Sequence, residues 1–190
     1  SVGNEADIAS IGFREVTAAT LSDGYTMIGA ELTNPATALA QGDLSINGVE
    51  IFDTEITVSS LSDKLTLINS KAAETGVTAS AFFSKSFVID ESEMAIGDTV
   101  EINGTDVTLQ AATVADLVTR INAVTSTTGI TASASGNDVT LVGDSVTSVS
   151  IAYGTEDELE AGFNAATTQT NPATNASNAL PVTLVLNTAD

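Results

Sequence analysis

The chain has 190 residues, 43% of them hydrophobic but only 4% aromatic, so a core must be built from Ala, Val, Leu and Ile. It carries 25 acidic against 5 basic residues, a net charge of -20, which excludes nucleic acid and anionic membrane surfaces as partners because phosphates need cations to neutralise them. The absence of Cys and His removes disulfides, thiolate chemistry, the usual transition-metal ligands and the Ser-His-Asp triad.

In chain order, β-prone segments come first, at Ile8–Val16 and Tyr25–Leu32. Leu44 and Ile46 alternate before Asn47-Gly48, and Val49 and Ile51 alternate after it. Asn-Gly between alternating segments predicts a hairpin, since both residues tolerate the positive φ of a tight turn. Ser60 and Asp63 have the spacing of a helix N-cap. Leu61, Leu65, Ile68 and Ala72 then fall on one helical face. Gly76 stands where a left-handed C-cap belongs, and Val77-Thr78-Ala79-Ser80 restarts a strand.

The same grammar then returns. Val100 and Ile102 precede Asn103-Gly104, and Val107 and Leu109 follow; Thr113 and Asp116 start a helix with Val114, Leu117, Val118, Ile121 and Val124 on one face. Gly129 ends it, and Ile130-Thr131-Ala132-Ser133 opens a strand that turns at Gly136-Asn137 into Val139-Thr140-Leu141. Residues 145–153 read as a strand, Glu156 to Phe163 as a short helix, 164–179 as an Asn-, Thr- and Ala-rich loop with Pro172, and Pro181 to Leu186 as a last buried strand.

The recurrence is a duplication. Residues 42–80 read GDLSINGVEIFDTEITVSSLSDKLTLINSKAAETGVTAS and residues 97–133 read GDTVEINGTDVTLQAATVADLVTRINAVTSTTGITAS. Ile46-Asn47-Gly48 recurs 56 positions later, whereas Ile68-Asn69, Gly76 and Ser80 recur 53 positions later as Ile121-Asn122, Gly129 and Ser133. The first copy therefore carries three extra residues between hairpin and helix. The expected fold is α+β: tandem ββαβ-like modules with mainly antiparallel strands, elongated. The modules are 42–95 and 96–153, with segments 1–41 and 154–190 flanking them as a base.

These repeated residues resemble the flagellin hook IN motif, which takes its name from the Ile-Asn pair, here Ile68-Asn69 and Ile121-Asn122. The resemblance covers about residues 42–141 in two tandem copies. It implies the variable, surface-exposed outer domain of a bacterial flagellin: a secreted structural component of the flagellar filament serving motility, extracellular, assembled with other flagellin subunits through helical regions that this chain lacks. The chain opens on Ser1 rather than Met and is read as a piece of a longer polypeptide. By itself it is expected to be a monomer. Outer domains of this kind are often O-glycosylated, so surface glycans are possible partners. Hook-associated and filament-cap proteins carry the same motif and form the alternative. An adhesin or glycan-binding module is the alternative of another class.

Chemistry is expected to be absent: no enzyme activity, no cofactor and no metal. The acidic cluster Glu156, Asp157, Glu158 and Glu160 reads as the first turn of a helix, and Asp53 and Glu55 as loop residues; no D-x-D-x-D-G calcium loop is present. The motif residues Asn47, Gly48, Ile68, Asn69, Gly76, Asn103, Gly104, Ile121, Asn122 and Gly129 are structural. Gly48, Gly76, Gly104 and Gly129 are turn and cap positions. Asn69 and Asn122 read as buried amides bonded to neighbouring backbone. Arg14 and Arg120 are expected to pair locally with carboxylates. Asn103-Gly104-Thr105 and Asn175-Ala176-Ser177 fit an N-glycosylation pattern that is coincidental in a bacterial protein.

Overall fold

The computed structural model describes residues 26–32, 38–39, 41–52, 60–153, 178–180 and 182–188. The expected strand at Ile8–Val16, the helix at Glu156–Phe163, the residues Arg14, Asp53 and Glu55, and the Asn175 sequence lie outside them. The fold is α+β, with antiparallel sheets. The chain divides into two compact units, Ser1–Phe82 with Pro181–Asp190, and Phe83–Leu180.

In the first unit, β1 (Thr26–Glu31) pairs with β11 (Thr183–Thr188), which pairs with β4 (Val77–Val88) across Thr183↔Phe82 to Thr188↔Val77. The hairpin β2 (Ser45–Ile46) and β3 (Val49–Glu50) turns on Asn47 and Gly48, at φ 51 and 81. The Ile51 N–H donates to the Leu44 carbonyl, so the alternation read from Leu44 to Ile51 extends beyond the formal strands. Helix α1 (Leu61–Ser70) is capped by the Ser60 hydroxyl, which accepts from the Asp63 N–H at 3.0 Å. It buries Leu61, Lys64, Leu65 and Ile68. Helix α2 (Ala72–Thr75) follows after a break at Lys71 and closes at Gly76, φ 69.

The second unit repeats this order. The hairpin β5 (Thr99–Ile102) and β6 (Thr105–Thr108) turns on Asn103 and Gly104, at φ 49 and 77. The Thr113 hydroxyl caps α3 (Val114–Ala123); α4 (Thr125–Thr128) ends at Gly129, φ 72. Strand β7 (Ile130–Ser135) pairs with β8 (Asp138–Asp144), and Ser135↔Asp138 closes a two-residue turn in which Gly136 has φ 62. Strand β8 neighbours β4, and β9 (Val149–Tyr153) lies between β5 and β10 (Asn178–Leu180). Residues 61–75 and 114–128 are thus helical in both copies, each broken once, at Lys71 and at Val124. At both breaks the N–H bonds back three residues, to Ile68 and Ile121, tightening the last turn.

The boundary between units falls inside β4, between Phe82 and Phe83, whereas the sequence modules 42–95 and 96–153 follow the duplication. Cores are aliphatic: Ile68, Val77, Leu184 and Leu186 in the first unit, and Val100, Ile102, Leu117, Ile121, Val139 and Leu141 in the second. The expectation of a core built from aliphatic residues alone is corrected at three positions. Phe52, Phe83 and Phe87 are also buried, as is the unbranched Met94, and phenyl rings remove more apolar area from water per residue than Val or Ala does. Among the described residues no helix is long and apolar enough to cross a membrane.

Candidate structural motif site

The motif residues converge on one arrangement, made twice. At the end of α3, Asn122 Nδ2 donates to the Ala132 carbonyl (2.9 Å) and Asn122 Oδ1 accepts from the Ala132 N–H (2.8 Å). At the end of α1, Asn69 Nδ2 donates to the Ala79 carbonyl (2.9 Å) and Asn69 Oδ1 accepts from the Ala79 N–H (2.7 Å). Each Asn follows the last buried Ile of its helix, Ile68 or Ile121, so packing of that Ile fixes where the amide points.

The register shows what the amide replaces. Ala132 sits opposite Leu141, and Ala79 opposite Leu186. In an antiparallel ladder a residue's N–H and C=O point to the same edge. Both groups of Ala132 are taken by Asn122, so they face away from β8; by the same reasoning those of Ala79 face away from β11. Each Asn side chain therefore stands where another strand would pair, satisfying an open strand edge.

Two hydroxyls continue the edge. The Thr128 hydroxyl accepts from the Ile130 N–H (3.1 Å), and the Thr125 hydroxyl donates to the Ile130 carbonyl (2.8 Å). In the first copy the Thr75 hydroxyl accepts from the Val77 N–H (3.2 Å) and lies 3.3 Å from the Val77 carbonyl. Thr75 and Thr128 are buried polar residues. Sequence reasoning gave them no role, although each directly precedes its cap glycine, and that shared position is the signal that could have found them.

The hairpin turn is tied to the same place. Asn47 Nδ2 donates to the Thr75 carbonyl (2.8 Å) and Asn103 Nδ2 to the Thr128 carbonyl (2.7 Å), satisfying C-terminal carbonyls that a helix leaves open. Asn103 makes a further clamp: its Oδ1 accepts from the Ser150 N–H (2.8 Å), and its own N–H donates to the Ser150 carbonyl (3.0 Å). One feature of the expected geometry is corrected. Asn69 and Asn122 are exposed residues, not buried ones, because they sit at strand edges, where the amide can bond to backbone while its outer side meets water.

Side chains beyond the Thr113 cap hold the start of α3. Asp116 Oδ2 accepts from the N–H groups of Gln110 (2.7 Å) and Ala111 (3.0 Å), and Asp116 Oδ1 accepts from Arg120 Nε (3.2 Å). The Ala111 and Gln110 N–H groups, with Arg120 beside them, hold the Asp116 carboxyl below its usual range. Glu91, in the 3-10 turn Glu91–Glu93, also accepts from the Val114 N–H at 2.6 Å. Lys64 was not singled out by the sequence. It is 2% exposed, and burial pulls its ammonium below the ordinary lysine value. Among the described residues no three His, Cys, Asp or Glu gather as a metal site.

With this geometry in place, comparison with known families is specific. Residues 94–155 match the flagellin hook IN motif. The match contains the whole second copy, from before β5 to beyond β9, and supports a flagellin-related structural role. No curated protein matches the chain.

Proposed function

We propose that this chain is a non-enzymatic structural segment of the outer, surface-exposed region of a bacterial flagellin, carrying two IN motifs. The observation that carries the reading is the duplicated Asn lock. In both copies the donor and the acceptor of the motif amide are engaged by strand backbone. The motif residues therefore serve to join helix to strand, and the same lock at Asn69 supports counting residues 42–80 as a second motif.

Composition supports the same conclusion. With no His and no Cys the chain lacks the commonest acid–base and nucleophilic groups. A net charge of -20 suits a surface that stays solvated and repels its own copies, so the isolated chain is monomeric. Assembly would rest on other parts of the filament protein, and this region would clothe the filament and present its outer surface, with glycans as possible partners.

The test is immunogold labelling of the encoding bacterium with antibodies raised against this chain. Label along the whole filament is expected. Label confined to the hook junction or the tip would replace flagellin by a hook-associated or cap protein. Absence of label from flagella would overturn both, and binding of the folded chain on a glycan array would then favour an adhesin.

A further inference from the structure

Asn-Gly occurs twice in the chain, at Asn47-Gly48 and Asn103-Gly104. This dipeptide is chemically labile because glycine offers no side chain to shield its backbone nitrogen. The deprotonated Gly nitrogen attacks the Asn Cγ, the new Cγ–N bond closes a succinimide, and the Cγ–Nδ2 bond breaks with loss of ammonia. Water then opens the ring, giving Asp if it adds at Cγ, or isoaspartate, with the chain rerouted through Cγ, if it adds at the backbone carbonyl. No oxidant or reductant is needed.

The two sites share sequence and turn but not their surroundings. Asn103 is half-buried and held at both ends of its amide, by the Thr128 carbonyl and the Ser150 N–H, and its own N–H is bound to the Ser150 carbonyl. Its strand β5 is flanked by β6, through four residue pairs, and by β9, through three. Asn47 is exposed, and among the described residues only its Nδ2 is bound, to the Thr75 carbonyl. Among the described residues its hairpin has two residue pairs, extended by the bonds from the Ile51 N–H to the Leu44 carbonyl and from the Gly42 N–H to the Phe52 carbonyl, and no third strand. Swinging Cγ onto the next nitrogen requires the side chain to leave its partners, and a two-stranded hairpin opens at lower cost than a strand paired on both sides.

We propose that Asn47 is a modification site, deamidating spontaneously in the folded protein, and that the β9 clamp protects Asn103. Conversion replaces the Nδ2 donor by a carboxylate oxygen facing the Thr75 carbonyl. The hairpin thereby loses its tie to the end of α2, and the first copy of the motif loosens with age while the second keeps its form.

The experiment incubates the 190-residue chain at mildly alkaline pH, natively and in concentrated urea, and counts Asp and isoaspartate at both sites by peptide mass spectrometry. Natively, Asn47 should convert about five- to thirtyfold faster than Asn103, the factor that one or two additional hydrogen bonds give an opening equilibrium. In urea the two rates should converge. Equal native rates, a faster Asn103, or a native difference that persists in urea would each overturn the proposal.

Discussion

Replacing Asn122 by Ala isolates the lock at one residue. Two hydrogen bonds disappear, to the Ala132 carbonyl and from the Ala132 N–H. At about 0.5–1.5 kcal/mol each, the loss is about 1–3 kcal/mol. Two effects reduce it. Ala is the better helix former, by up to about 0.7 kcal/mol, and Asn122 is exposed, so water can reach part of the vacated edge. The expected net destabilisation is about 1–2 kcal/mol, and for a unit spanning Phe83–Leu180 that lowers the melting temperature by roughly 4–8 °C per kcal/mol. Urea melts followed by circular dichroism check it, with an unchanged slope showing that the loss is native-state bonding. Asn122→Asp keeps the acceptor but sets an anion against the Ala132 carbonyl, and should be at least as damaging. A midpoint at or above that of the unmodified chain for Asn122→Ala would refute the lock as a net source of stability.

Three further outcomes are expected. Gly76→Val and Gly129→Val should each cost about 1–3 kcal/mol in denaturant melts, the strain of a β-branched residue at positive φ. Gly129 should suffer more, because its added Cβ would lie 2.9 Å from Val146 Cγ1 whereas nothing stands within 4 Å at Gly76. Asp116 has its carboxyl depressed in the fold, so its contribution is fully present above the ordinary value of 3.8 and is lost as pH falls through the lower folded value. Asp116→Asn should therefore lower stability at neutral pH and flatten the acid limb of a stability-versus-pH curve, and an unaltered limb would count against this account. Lys64 occupies the position that Leu117 fills in the second copy, and its burial disfavours the charge. Lys64→Leu should raise the urea midpoint, and a lowered one would show that the ammonium is a net stabiliser.

What the sequence could determine was everything written in short range. Asn-Gly sets positive φ within two residues, the Ser60 and Thr113 caps reach only three residues ahead, and Gly76 and Gly129 end helices by their own backbone freedom. Duplication doubled each of these signals, so the order of hairpin, helix and strand was legible in both copies. The aliphatic faces of α1 and α3 were legible too, because burial repeats at the helical period. Lys64 was the exception, since a polar residue on an apolar face is read as solvent-facing until its neighbours are known.

Tertiary structure alone decided how the pieces close. The partners of Asn69 and Asn122 lie ten residues on, and those of Asn47 and Asn103 lie 28 and 25 on. No local preference distinguishes one backbone amide from another at that distance. Which edge of a strand stays open depends on which strand pairs with the other edge. That is β11 for the first half of β4 and β8 for β7, and these pairings join segments whose alternation of apolar residues fits many partners equally well. The same freedom let the boundary between units fall within β4, between Phe82 and Phe83, where no turn residue marks it: an alternating strand can give its two halves to different neighbours.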